Sequence, residues 1–406
     1  MNRLQRRSLL AGLTTLPLAA PGLLRAQSTS HPVQIGLLSD MSGPFKDVGG
    51  PGNRVAAELA IADFGGSVLD RPITVRQADN QNKADVAGAL AREWLDGGVD
   101  CLADGGASSS GLAMQEVCRD KKRIFIVTGP ATSDITGAKC SAYGMHFGFD
   151  TYALAHGTGT ALTKSGGNSW YFITSDYAFG HALERDTMAA VRANGGEVKG
   201  AVRAPLNNAD FSGFLLQARA SGAKVIGFAL AGTDLQNCIK QASEFGLTRG
   251  GARIATLLIQ VTDIVALGHK TCEGMVFTDS FYWDQSDGAR AFAARYMQRM
   301  PASPPGLQHA AMYTGVTHWL KAVKAVGSVD ADAVAAKMKA TPVNDFYNSN
   351  VELRQDGRCM HVMNLWQVKP ESEAKGRFDF CKLITHIPPN EAWRPLSEGG
   401  CALVHT

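Results

Sequence analysis

Residues 33–64, VQIGLLSDMSGPFKDVGGPGNRVAAELAIADF, decide the fold. Residues 33–38 form a short apolar run of the kind a buried strand requires. The stretch SDMSGPFKDVGGPG that follows is rich in Gly, Pro, Ser and Asp, which break regular structure and read as a loop. Residues 53–64 then place apolar side chains at helical spacing. This strand, loop and helix make one βα unit. Working outward, the unit recurs: a strand over 73–76 and a helix over 85–96, a strand over 101–103 and a helix over 109–120, and a fourth strand over 124–127. Strands alternating with helices at this spacing predict a parallel sheet with right-handed crossovers.

The rhythm restarts beyond residue 150. Strands are predicted over 170–173, 198–202, 225–230, 254–259 and 274–278, and helices over 180–194, 211–220 and 234–245. Two successive sets of βα units predict an α/β protein of two lobes. A helix over 289–300 stops at MPASPPG, whose prolines mark a boundary. The helix over 309–326 carries Met312, Val316, Trp319, Val323 and Val326 on one stripe, a core face. Strands over 351–354 and 362–368 flank Asp356-Gly357, a hairpin signal, and the tail after Lys369 reads as mostly irregular.

The first 26 residues are a different kind of segment. Arg3, Arg6 and Arg7 precede an apolar run from Leu9 to Leu24, with a cleavage site expected after Ala26. Pro17, Pro21 and Gly22 break a run already short for a bilayer span. Arg6-Arg7 followed by Ser8-Leu9-Leu10 resembles a twin-arginine export signal; an ordinary secretory peptide is the alternative, and both predict a periplasmic mature protein. The chain carries +3 in total, and losing Arg3, Arg6, Arg7 and Arg25 with no acid leaves −1. A near-neutral surface gives no electrostatic reason to expect nucleic acid or an anionic membrane. No stable membrane insertion is expected, and a monomer is. Eight cysteines at wide spacings, with no CxxC, predict neither a zinc site nor a redox motif. One or two disulfides are expected, with Cys359–Cys381 the most reachable pair.

The organisation resembles the periplasmic binding proteins of ABC importers, in the Leu/Ile/Val-binding branch with the type I fold. The resemblance spans nearly the whole mature chain. It rests on IGLLSDMSGPF, GGASSSGLAMQEV, VTGPATSDIT, FGFDTYALAHGTG, TSDYAFGHAL and EGMVF, each weak alone but occurring in order. It implies two doubly wound parallel-sheet lobes joined by a three-segment hinge and closing on a ligand. Lobe 1 is expected over 31–148 and 282–355, and lobe 2 over 149–281 and 356–406. It also implies a small-molecule ligand, a membrane permease as partner, no cofactor or metal, and no enzyme activity.

The residues agree with a carboxylate ligand. Ser108 and Ser109 stand at the carboxyl end of a parallel strand where the next helix starts, so hydroxyls and backbone N–H groups converge there. Ala107 beside them, and Pro130 and Thr132 at the next strand end, complete the expected first-lobe wall. Capping alone also accounts for Ser and Thr at helix starts. In the second lobe, Asp176-Tyr177-Ala178-Phe179-Gly180 offers aromatic faces. The resemblance puts Phe179 over the ligand, whereas Tyr177 either lines the site or packs beneath the loop. Tyr152, Asp150 and Asp234 are further candidates, and Val48 leaves room where relatives often place a ring. Amino-acid binders of the family place an acid after the strand corresponding to 254–258. Here TLLIQVTD brings Leu257, Leu258, Ile259 and Gln260, with Asp263 late. A buried ammonium without a partner is costly, so the expected ligand is an aromatic, keto or other organic acid. Asp150 or Asp234 would supply the charge for an amino acid.

Two other classes are weighed. A secreted hydrolase lacks its signatures: no GxSxG, HExxH or CxxC occurs, and GTALTKS lacks the glycine a phosphate loop places before its lysine. A ligand-sensing domain feeding a membrane receptor shares the two-lobe fold, but no output module is visible.

Overall fold

The computed structural model describes residues 31–404, and the export segment expected over 1–26 lies outside the described residues. Residues 32–404 contain three sheets. The first holds β1 (Val33–Ser39), β2 (Ser67–Val68), β3 (Arg71–Asp79), β4 (Cys101–Asp104), β5 (Ile124–Val127) and β6 (Gly144–His146) in the order β2-β3-β1-β4-β5-β6. Every pairing is parallel except the short β2–β3 ribbon. The second holds β7 (Ser169–Ser175), β8 (Glu197–Ala204), β9 (Val225–Ala229) and β10 (Arg253–Thr256) in the order β10-β9-β7-β8, all parallel. In each, the first strand sits inside, the chain winds outward to one side and then returns to the other. That reversal leaves a crevice at the carboxyl ends of the inner strands, between β1 and β4 and between β7 and β9. This is the type I architecture of two doubly wound lobes.

Burial explains which strands were readable. The side chains of Val33, Ile35, Leu37 and Leu38 on β1 are all buried, as expected for an inner parallel strand covered on both faces. On β3 and β8, half-buried and exposed positions alternate over most of the strand, the period-two pattern of a partly covered strand. Helix Gly50–Phe64 begins earlier than the apolar spacing indicates because Pro51 fits a first turn, where its missing N–H costs nothing. On helix Leu307–Val326, Met312, Val316, Trp319 and Val323 are buried as the stripe predicts, and the helix packs on helix Gly50–Phe64.

Several expectations are corrected. The turn at Asp356-Gly357 forms, with the Arg354 N–H donating to the Arg358 carbonyl at 2.9 Å, but only single bridges flank it. The later strand, β12 (Met363–Val368), pairs antiparallel with β11 (Val276–Asp279) and β13 (Cys381–Ile387) instead. The tail, otherwise largely irregular, thus contains one strand that was not anticipated, β13. Helix Ala331–Ala340 and the short β6 were not anticipated either. The disulfide is Cys140–Cys401, whereas Cys359 and Cys381 are both free and buried. Nearness in sequence misled here: Cys359 donates its N–H to the His146 carbonyl beside the first sheet, and Cys381 pairs with Val368 in the third.

One buried cation ties residues 146–150 to the segment around 358. Arg358, fully buried, donates to the carbonyls of His146 and Gly148 and of Cys359 in its own segment. It also lies 3.6 Å from Asp150, and Trp393 covers its face at 4.3 Å. Trp393 is anchored in turn through its indole N–H to the His361 carbonyl at 2.7 Å. Residues 388–404, expected in the second lobe, thus meet Arg358 and His361 through Trp393 and, through Cys401 and Arg394, Cys140 and the Ser133 carbonyl.

Candidate ligand-binding site

The loop after β1 folds around one carboxylate. Asp40, 1 % exposed, accepts the N–H groups of Ser42 at 3.2 Å, Gly43 at 2.5 Å and Phe45 at 2.7 Å. An aspartate bonding its own loop in this way fixes a turn, and here the turn carries Phe45 and Val48 inward. Asn82, at the end of β3, donates to Asp40 at 2.6 Å and accepts the N–H of Ala107 at 3.0 Å. Asp40–Asn82–Ala107 therefore ties three strand-end loops into one wall. Gly106 has φ +59°, and a Cβ there would stand 2.8 Å from the Asn80 amide nitrogen, so a side chain is excluded twice over.

Ser108 opens helix Ser108–Asp120, and its hydroxyl oxygen accepts the N–H groups of Ala131 and Thr132, both at 3.1 Å. A serine hydroxyl offers two lone pairs and one proton. Both lone pairs are taken, so the proton is what Ser108 presents. The positive end of the helix adds to its preference for an anion.

The opposite wall comes from the second lobe. Tyr177 and Phe179 follow β7, Ala231 and Gly232 follow β9, and Leu258, Gln260 and Asp263 follow β10. The lobes touch where Gly232, at φ +57°, passes Pro44; a Cβ there would lie 2.1 Å from the Pro44 carbonyl oxygen, and the Thr233 N–H donates to that oxygen at 3.2 Å. Phe45 approaches Tyr177 with ring centroids 6.3 Å apart, and Tyr177 approaches Phe179 at 5.9 Å. Between the walls lies a small cavity, closed further by Phe149 and by Gln308.

Asp263 is the buried acid of this cavity. One oxygen accepts the Gln236 amide at 2.8 Å and the other the Gln260 N–H at 2.9 Å. Burial, opposed by those hydrogen bonds, pushes its carboxyl up to about 6. The side-chain amide of Gln260, 1 % exposed, has neither its nitrogen nor its oxygen hydrogen-bonded among the described residues. Among the same residues no cluster of three or more His, Cys, Asp or Glu forms a metal site.

Of the nine residues singled out from sequence, the structure brings Ala107, Ser108, Tyr177 and Phe179 to the cavity, together with Val48. The other five lie outside its lining. Ser109 continues the helix, and Pro130 packs over Gly105 and Gly111. The Thr132 hydroxyl accepts the Asp134 N–H at 3.3 Å, the capping alternative. Tyr152 stacks on His156 at 3.8 Å. Asp234 accepts the Asn207 N–H at 3.0 Å, and its burial raises the carboxyl to about 6. Asp150 caps the helix that follows it and faces Arg358. Phe45, Phe149 and Gln308 were missed, and Asp263, read as falling too late, stands on the wall. A visible signal existed for Asp263: an acid three residues into a helix, bonding back to the residue before it, is a helix-start spacing.

Two α/β lobes enclosing a cavity at their strand ends have the architecture of a two-lobed ligand-binding protein. The sequence profile of periplasmic binding proteins matches residues 32–377, and the chain belongs to that family. A periplasmic binding protein of Burkholderia mallei is 45 % identical with a TM-score of 0.89, covering 92 % of this chain and 99 % of its own. A branched-chain amino acid ABC transporter periplasmic ligand-binding protein of Burkholderia xenovorans LB400 is 35 % identical with a TM-score of 0.81, covering 91 % and 99 %. A Leu/Ile/Val-binding protein homolog 6 of Brucella melitensis is 28 % identical over 257 residues, 62 % of this chain. That match spans 65 % of the curated relative's length.

Proposed function

We propose that this chain is an extracytoplasmic solute-binding protein that captures a small carboxylate between its lobes and delivers it to the permease of an ABC importer, without altering it chemically. The observation that carries the reading is the Ser108 hydroxyl, which lines the cavity with both lone pairs engaged and only a proton to give. The aromatic and aliphatic lining from Phe45, Val48, Phe149, Tyr177, Phe179 and Leu258 suits an apolar body behind the carboxylate. Among the nine sequence candidates, Ser108, Ala107, Tyr177 and Phe179 contact the ligand in this reading, while Thr132 acts through its N–H on Ser108. Lobe 1 takes 31–148 and 282–355, lobe 2 takes 149–281 and 356–387, and the remaining tail straps the hinge. Closure follows from contacts to both walls at once. No helix among the described residues is long and apolar enough to cross a membrane, which fits a protein that docks on its permease.

A second reading, a branched-chain-type amino acid, is favoured by Asp263 on the wall and by the relative named for that ligand class. Titration calorimetry of the mature protein with aromatic acids, keto acids, short fatty acids and amino acids tests both readings. Saturable binding by any carboxylate, weakened in Ser108→Ala, supports the proposal, and binding indifferent to that substitution rejects it.

A further inference from the structure

The second-lobe wall contains a polar group that the protein itself leaves unanswered. Gln260 is buried and lines the cavity, its backbone N–H is committed to Asp263, and its side-chain nitrogen and oxygen find no hydrogen bond among the described residues. Buried amides are nearly always paired, and leaving both ends bare is costly unless a ligand pairs them. Asp263 differs in this respect. Each of its oxygens already accepts one N–H from a neutral neighbour, and those bonds hold the helix Val261–Leu267 against Gln236. Its role in the protein is to hold the backbone at the start of that helix, where Gln260 stands.

Resting on the reading that Ser108 holds a carboxylate, we infer that the ligand carries a second, uncharged group that both donates and accepts a hydrogen bond, a hydroxyl or carboxamide, and that Gln260 recognises it. An amide nitrogen donates and an amide oxygen accepts, so the pair matches a hydroxyl in both roles. It matches an ammonium in only one, because an ammonium has no lone pair and requires compensating charge when buried. The ligand class is then a hydroxy acid or amide-bearing acid with an apolar body, in preference to an α-amino acid.

The test uses congeners that share a carbon frame, titrated calorimetrically into the full mature chain. One set is 3-phenyllactate, phenylalanine and 3-phenylpropanoate; the other is 4-hydroxybenzoate, 4-(aminomethyl)benzoate and benzoate. In at least one set the hydroxylated member is expected to bind about tenfold or more tightly than the member lacking the group, because the unpaired amide penalises the latter. Gln260→Leu should erase that difference, and Gln260→Glu should move the preference toward the ammonium member. Melting temperatures of the ligand-free variants show that each remains folded. A wild-type preference for the ammonium, or a hydroxyl preference that survives Gln260→Leu, overturns the inference. If carboxylates bind through Ser108 without any preference, this inference falls and the carboxylate reading stands. If no carboxylate binds, both fall.

Discussion

The two walls of the cleft are built on opposite plans. On the first-lobe side the strand-end polar groups are tied to one another: Asp40 holds its own loop, Asn82 joins Asp40 to Ala107, and Ser108 is pinned by Ala131 and Thr132. The Ser108 hydroxyl proton remains to be offered, beside the amide of Gln308. On the second-lobe side, rings and a leucine dominate, and the amide of Gln260 is left bare. A wall whose hydrogen bonds are made beforehand pays little ordering entropy when a charged group arrives. A bare amide instead discriminates, because any ligand that fails to pair it bears the cost of its burial. The difference teaches a division of labour: one wall binds the part common to many acids, and the other selects among them.

The comparison can be broken most forcefully at Asp40. Asp40→Ala leaves several buried N–H donors and the Asn82 amide without their acceptor, and should cost about 3–5 kcal/mol of stability in urea unfolding, with ligand affinity falling as the loop loosens. A variant as stable as the parent would show that this wall is not organised by the carboxylate.

Asp263 probes the other wall through pH. Its carboxyl is raised from 3.8 to about 6, so the folded state holds a proton that the unfolded chain has released. Its contribution therefore falls as pH rises from about 4 to about 6 and is level outside that window, a change of at most about 3 kcal/mol. Asp263→Asn should flatten the stability profile there, measured as the difference between parent and variant across the window.

Ser108→Ala should weaken carboxylate binding by about 1.5–3 kcal/mol, the range for a hydrogen bond to a charged group, with a smaller loss of melting temperature than Asp40→Ala because it orphans two buried N–H groups rather than three and an amide. Thr132→Ala sharpens the contrast from below. Its hydroxyl only caps a short turn at 3.3 Å, so a stability loss of about 0.5–1 kcal/mol in urea unfolding and unchanged ligand affinity are expected. A large loss of affinity would return Thr132 to the ligand contacts that sequence reading gave it.

Much of the scaffold was legible because its signals are local. β1 is apolar throughout since both its faces are covered, and helix Leu307–Val326 repeats its buried stripe at helical spacing. The failures share a cause. β13 carries five exposed residues in a row and gives no burial pattern to read, while Val362–Val368 chose partners far away over its neighbour across a turn. At the site, Ser108 and Phe179 were visible as residues following strands. Gln308, by contrast, begins a helix some 200 residues after Ser108 in sequence and reaches the cavity only through the fold.

The sequence by itself determined the βα alternation, the doubling into two lobes, and the strand ends where polar side chains gather, since these follow from periodicity and turn chemistry within a few residues. Only the tertiary structure decided that Cys140 meets Cys401, that Arg358 ties residues 146–150 to its own segment, that Asp263 is tied while Gln260 is bare, and that Thr132 caps its own turn. Those outcomes depend on which distant segments share a hydrogen bond once water is excluded, and a pairing of that kind leaves no trace in the spacing of residues along the chain.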